Sequence, residues 1–125
     1  MVLIAQGWNL EVERGPDWLF VRPVCDADHA ESQPPLAEQV WTLLDQYFTY
    51  RVVLELEEVP LLHSYLIGQL IWLHKRVTSH GGIMRLSGLS TRNREILRQC
   101  QLEGRLPPFG NRCEAVLTAQ PLRSS

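Results

Sequence analysis

The run Arg51-Val52-Val53-Leu54-Glu55-Leu56-Glu57, followed almost at once by Val59-Pro60-Leu61-Leu62-His63-Ser64-Tyr65-Leu66-Ile67-Gly68, decides the fold. Val52, Val53, Leu54 and Leu56 make a near-continuous apolar strand, the kind that lies centrally in a sheet covered by helices. Past Pro60 the period changes. Leu66, Leu70, Leu73 and Val77 recur at helical spacing, widened by Ile67 and Ile71, and predict an amphipathic helix from about Ser64 to Ser79. His80-Gly81-Gly82 supplies its glycine stop. The junction places a serine hydroxyl where the helix begins. Unpaired backbone N–H groups and the positive end of the helix dipole make such a place suitable for a phosphate.

Toward the N-terminus, Trp8 to Glu13 alternates Trp8, Leu10, Val12 against Asn9, Glu11, Glu13, which reads as a half-buried strand. Arg14-Gly15-Pro16-Asp17 is a turn signal, and Trp18 to Val24 a second strand, so the two form a hairpin. Asp26 to Pro35 reads as a polar loop. Leu36, Val40, Leu43, Leu44 and Phe48 then mark one face of a helix over Leu36 to Phe48, with Pro35 suited to its first turn. Met1 to Ala5 is apolar but too short, and without the basic flank, for a signal peptide.

Toward the C-terminus, Ile83 to Leu86 predicts a short strand. Ser90-Thr91 opens a helix to about Gln101, with Ile96, Leu97 and Cys100 turned inward. Leu102 to Leu106 is a turn and a short extended piece, Pro107-Pro108-Phe109-Gly110 excludes helix, and Asn111 caps a last helix over Cys113 to Ala119. The tail from Gln120 is expected to fray. Alternation of strand and helix after residue 50 argues for an α/β sheet with crossover helices.

The composition of the 125 residues fits one globular domain: 45% are hydrophobic and 21% charged. The formal charge of -2 gives no support for nucleic-acid binding. No apolar run reaches membrane-span length. Cys25, Cys100 and Cys113 are far apart and odd in number, which fits a reduced, cytoplasmic protein better than a disulfide scaffold.

These elements, with particular residues, resemble the STAS domain of bacterial anti-sigma-factor antagonists over about Asn9 to Val116. The likeness is strongest from Val52 to Gly68, where the family has an apolar strand, a short loop and Asp-Ser-Ser/Thr-Gly-Leu-Gly entering a helix. Gly81-Gly82-Ile83-Met84-Arg85-Leu86 matches the usual glycine pair and strand, Ser90 to Leu106 the next helix and leucine-containing turn, and Cys113-Glu114-Ala115-Val116 the short C-terminal helix. The resemblance implies a STAS-like α/β fold, a mixed central sheet of about four or five strands with about four helices. A single domain would span residues 1–125, with its core at about residues 8–119.

In such proteins the serine after the aspartate is phosphorylated by a partner kinase, often the anti-sigma factor itself. The unphosphorylated antagonist binds that partner and frees the sigma factor. Ser64 falls on the phosphorylated serine and Gly68 on the second glycine. His63 stands where the family has aspartate, Tyr65 where it has the second hydroxyl residue, and Leu66 where it has the first glycine. The resemblance thus implies a non-enzymatic, cofactor-free, cytoplasmic module of transcription regulation and signal transduction, binding an anti-sigma factor or serine kinase.

Each candidate residue also has a plainer reading. Ser64 is either a phosphorylation site or only an N-cap, worth on the order of 1 kcal/mol. His63 could pair with a phosphate when protonated, or be an ordinary loop histidine. Tyr65, Gln69, Trp72 and Arg76 are adjacent on the helix face opposite the Leu66 stripe, and Tyr, Trp and Arg are enriched at binding hot spots. With Leu62 and His63 they are the partner-binding candidates, unless another element of the chain or a second copy in a homodimer covers Trp72. His29, His74 and His80 make no metal-ligand pattern with the cysteines. Glu55, Glu57 and Glu58 have no assignable acid–base partner and read as solvated strand-end charges. A constitutive scaffold without phospho-control, and an enzyme or small-molecule carrier on the same fold, are the competing functions.

Overall fold

The computed structural model describes residues 2–5, 8–25 and 36–117. Among these, the elements in chain order are β1 (Val2–Ala5), β2 (Trp8–Arg14), β3 (Leu19–Cys25), α1 (Ala37–Gln46), β4 (Arg51–Glu55), α2 (Ser64–Ser79), β5 (Ile83–Ser87), α3 (Thr91–Gln99), β6 (Pro108–Phe109) and α4 (Arg112–Leu117). They build a six-stranded mixed sheet whose strand order is the chain order. β1, β2 and β3 are antiparallel neighbours, with Val12 opposite Val21 at the centre of the hairpin. From β3 to β6 the pairing is parallel, with Val53 beside Phe20 on one side and Arg85 on the other. Parallel strands need a crossover rather than a tight turn, and α1, α2 and α3 supply the three crossovers.

Side-chain alternation divides the sheet into two faces. Leu10, Val12, Leu19, Val21, Val52, Leu54, Met84 and Leu86 meet the apolar stripes of α1 and α2 and Leu97 of α3 in the main core. Each fully buried leucine there contributes on the order of 2 kcal/mol relative to an exposed one. On the opposite face Trp18, Phe20, Val53 and Ala115 form a smaller core under α4. The Leu66, Leu70, Leu73 and Val77 stripe of α2 is buried as its spacing requires.

Gly81 and Gly82, between α2 and β5, are dictated by geometry. Gly81 has φ of 74° at the end of α2. A Cβ on Gly82 would stand 2.0 Å from the Tyr50 carbonyl oxygen, so the entry to β5 is closed to any side chain.

Several sequence expectations are corrected. The first helix ends at Gln46, and Phe48 is exposed at φ 51°, so it reverses the chain instead of packing. β4 ends at Glu55, two residues short of the expected strand. Cys100 is exposed at the C-cap of α3, where Leu97 alone of the expected trio is fully buried. Val2–Ala5 is a strand, and β6 lies within the Pro107-Pro108-Phe109-Gly110 stretch expected only to exclude helix. Asn111 does cap α4, its Oδ1 accepting from the Glu114 N–H at 3.0 Å. The expected 26–35 loop, Pro35, His29 and the chain beyond Leu117 lie outside the described residues.

Glu55 is also corrected: it is buried beneath α4, not solvated. Arg112 donates to it through Nε at 2.6 Å and a second nitrogen at 2.8 Å, and reaches Glu13 at 2.8 Å. These bonds, Glu55's first, raise the guanidinium pKa above its ordinary value. Arg22 lies 4.0 Å from Glu55 and 3.9 Å from Glu57. Arg85, buried beside Trp18 and Phe109, donates to the Ala115 carbonyl at 2.5 Å, and burial, then the Arg51 charge, lowers its pKa. Charge as well as apolar contact therefore holds α4 to the sheet.

Candidate functional site

The loop from β4 to α2 is tied down before it reaches Ser64. Val59 N–H donates to the Leu56 carbonyl at 3.1 Å, and both side chains are buried. Pro60 and Leu61 then come to the surface, and Leu62 turns back into the main core at 2% exposure. Asn93 of α3 reaches across to this loop. Its Oδ1 accepts from the Leu62 N–H at 3.0 Å, and its Nδ2 donates to the Val59 carbonyl at 3.2 Å. The Asn93 side chain is fully buried, where unpaired backbone groups would be costly.

Asn93 is itself fixed from below, since its N–H donates to Oγ of Ser90, the N-cap of α3. Sequence reasoning missed it. The available signal was its place four residues before Leu97, on the inward stripe of a helix otherwise charged at that end.

The helix start differs from expectation. His63, not Ser64, is the N-cap of α2: its backbone is extended at φ −84°, ψ 171°, and its Nδ1 accepts from the Leu66 N–H at 3.3 Å. An accepting Nδ1 puts the ring proton on Nε2. The Ile67 N–H bonds the His63 carbonyl at 3.0 Å, the first bond of the helix ladder. Ser64 is then the first helical residue, exposed, with its hydroxyl free of the capping role. The histidine in the aspartate position thus serves as a capping acceptor.

The expected partner-binding face divides. Leu62 is buried in the core and closed to a partner. Gln69 is engaged internally: its Oε1 accepts from the Leu36 and Ala37 N–H groups at 3.0 and 2.9 Å, capping α1, which has no side-chain cap of its own. The Arg76 guanidinium lies 4.9 Å from the Trp41 ring and 5.4 Å from the Trp72 ring. Trp41 continues to His80 at 4.6 Å and Tyr50 at 5.5 Å. The Tyr50 hydroxyl donates to Asp45 at 2.7 Å, a bond that raises its pKa. Arg76 of the same helix therefore covers one side of the Trp72 ring and links it to Trp41 of α1. Tyr65 and Trp72 remain 41% and 40% exposed, and Gly68, Gln69 and Trp72 line a cleft of about 290 Å³ with Ala37 and Glu38 of α1.

The remaining candidates are dispersed. His74 is half-buried, and burial, then the Arg105 charge, lowers its pKa. His80 is stacked in the aromatic group, and Cys100 faces solvent. Ser64 and Tyr65 are exposed side by side at the start of α2. No described helix is long and apolar enough to cross a membrane.

The sequence profile of the STAS domain matches residues 9–115. Among solved structures, a candidate anti-sigma factor antagonist from Thermotoga maritima has a TM-score of 0.71 at 17% identity, over 85% of this chain and 90% of its own. An anti-sigma factor antagonist from Mycobacterium paratuberculosis has 0.67 at 16%, over 85% and 88%. A serine-to-glutamate variant of the RsbS protein of Moorella thermoacetica has 0.65 at 14%, over 82% and 86%. These likenesses are of fold. No curated protein sequence matches the chain.

Proposed function

Because this chain belongs to the STAS domain family, we propose that it is a non-enzymatic regulatory module that binds an anti-sigma factor or serine kinase, with Ser64 as the residue through which phosphorylation controls that binding. The observation that carries the reading is the exposed Ser64 hydroxyl at the first residue of α2, on a loop pinned from the core side by Asn93. A kinase can reach the hydroxyl without unfolding the loop. The neighbours named as anti-sigma factor antagonists support the same class of partner.

A phosphate on Ser64 adds a charge of about -1.5 to -2 at neutral pH. The helix dipole favours it, and the His63 ring is adjacent in sequence, so the domain tolerates the modification. A partner resting on Leu61 and Tyr65 faces a new, strongly hydrated dianion.

Incubation with the cognate serine kinase and ATP, read by intact mass, tests the switch. The expected result is one phosphate on the natural chain and none on Ser64→Ala. Ser64→Asp should weaken partner binding, and Trp72→Ala tests the helix face beyond. A chain that stays unmodified sinks the switch reading and leaves a constitutive scaffold. Leu66 favours that second reading: it fills the main core in the first turn of α2, where the family has its first glycine, so this helix start is bulkier than the family pattern.

A further inference from the structure

Strand order follows chain order, so a gradient of charge along the sequence becomes a gradient across the molecule. Residues 1–60 hold eleven of the 14 acidic residues and three of the 12 basic ones, leaving nine basic against three acidic in residues 61–125. The net charge of -2 conceals these two lobes. Arg85 is buried against α4 and Arg112 is locked by Glu55 and Glu13, so neither forms the outer positive surface. That surface consists of Lys75, Arg76, Arg92, Arg94, Arg98 and Arg105, all exposed. Glu95 is engaged by Arg98 and Gln99. Among the described residues no ion pair engages Arg92 or Arg94.

Arg92 and Arg94 flank Asn93, whose side chain holds the loop two residues before Ser64. Exposed Leu61 and Tyr65 lie on the same loop and helix start. Two cations with no ion pair among the described residues therefore flank the residue that ties α3 to the loop carrying Leu61 and leading into Ser64.

We propose that the start of α2 and the first turn of α3 form one docking face for an acidic segment of a protein partner, with Arg92 and Arg94 supplying charge and Leu61 and Tyr65 the apolar contact. The proposal rests on the reading of Ser64 as part of the partner surface, and it names the partner's chemistry. It also supplies a means of release: a phosphate on Ser64 competes with the partner's carboxylates for the same two guanidinium groups. Charges farther apart than the Debye length, about 8 Å at physiological ionic strength, hardly cancel, so the acidic lobe does not neutralise this face. A compact acidic segment meets the positive lobe alone, whereas an extended polyanion also meets the negative one. The charge pattern therefore favours a protein over a nucleic acid.

Isothermal titration with an acidic amphipathic peptide (glutamates around a leucine stripe), its all-lysine twin and duplex DNA tests the face. Only the acidic peptide should bind, and more weakly as salt rises. Arg92→Glu with Arg94→Glu should lower its affinity roughly ten- to a hundredfold. Should that pair impair folding, Arg92→Gln with Arg94→Gln should lower affinity in the same direction. Absence of binding, equal binding of the twin or of DNA, or indifference to both arginine pairs would overturn the proposal. If Ser64→Glu binds the peptide at full strength while the arginine pair still matters, the docking face stands and release by Ser64 fails.

Discussion

Asn93→Ala removes both side-chain bonds that hold the loop before Ser64. The Leu62 N–H loses a partner at 3.0 Å and the Val59 carbonyl one at 3.2 Å. Leu62 and Val59 are 2% and 4% exposed, so water cannot replace the asparagine without opening the loop. Each stranded backbone group costs on the order of 1–3 kcal/mol. Partial relaxation brings the sum to about 2–4 kcal/mol, a drop of about 8–15 °C in the melting temperature for a chain of this size. Thermal unfolding measures the total, and hydrogen exchange at the Leu62 amide locates it. The amide should lose protection while the amides of β4 keep theirs relative to global stability. Asn93→Asp is a sharper control. A buried carboxylate keeps the acceptor for Leu62 but presents oxygen to the Val59 carbonyl, and desolvation raises its folded pKa above the unfolded one. Once protonated it can donate again, so that variant should gain stability relative to the natural chain as pH falls through the folded pKa. A melting temperature within a degree or two of the natural chain, with Leu62 exchange unchanged, would refute the reasoning.

His63→Ala should cost about 0.5–1 kcal/mol through loss of the α2 cap, and His63→Asp should gain a similar amount because a carboxylate accepts more strongly and suits the dipole; urea titration of both checks the signs. Arg112→Met leaves Glu55 buried with only the more distant Arg22 as compensation, and should cost about 2–3 kcal/mol, discounted because Arg112 is partly exposed. Loss of α4 from the sheet would appear as increased fluorescence quenching of Trp18, which packs in the small core. His74 has a pKa lowered chiefly by burial, so its neutral form is favoured on folding. That contribution is complete above the unfolded value near 6.5 and is lost as pH falls through the folded value. His74→Gln should flatten the stability profile below about pH 6.5, measured by urea unfolding across that window.

What was legible in the sequence follows from period. β4 and α2 announce themselves because a continuous apolar run and a three-four repeat each persist long enough to be counted, and both stripes are buried. β1 and β6 are four and two residues long, too short to carry a period, and β6 pairs through a Pro-Phe step. Phe48 and Cys100 fit the helical repeat yet fall where each helix ends, so apolar character misplaced them. Among the site residues, Ser64 stands at the start of α2 as the spacing requires, but the cap there is His63. Capping by His63 and by Gln69 depends on ring and amide orientation and on which helices meet, neither of which spacing encodes. Glu55 looked solvated because its partner Arg112 is 57 residues away.

Buried anchors and exposed residues are separated at this loop, and this leads to a test of how a phosphate on Ser64 would act. Val59, Leu62 and Leu66 point inward and Asn93 strings their loop to α3, while Ser64 and Tyr65 point outward. A charge added at Ser64 then has little to disturb. A negative charge in the first turn of a helix stabilises it by about 0.3–1 kcal/mol, small beside the roughly 5–15 kcal/mol that holds a domain together. Truncating or opposing a buried charge contact in an interface costs about 2–5 kcal/mol, enough to release a partner of ordinary affinity. Ser64→Glu should therefore leave the melting temperature unchanged or raise it by a few degrees, with exchange at the Leu62 amide preserved, while affinity at the docking face falls. If the same substitution instead lowered the melting temperature and unprotected Leu62, the modification would act by melting its own loop. Asn93 would then be part of a conformational switch, and the rigid platform inferred from its two hydrogen bonds would be wrong.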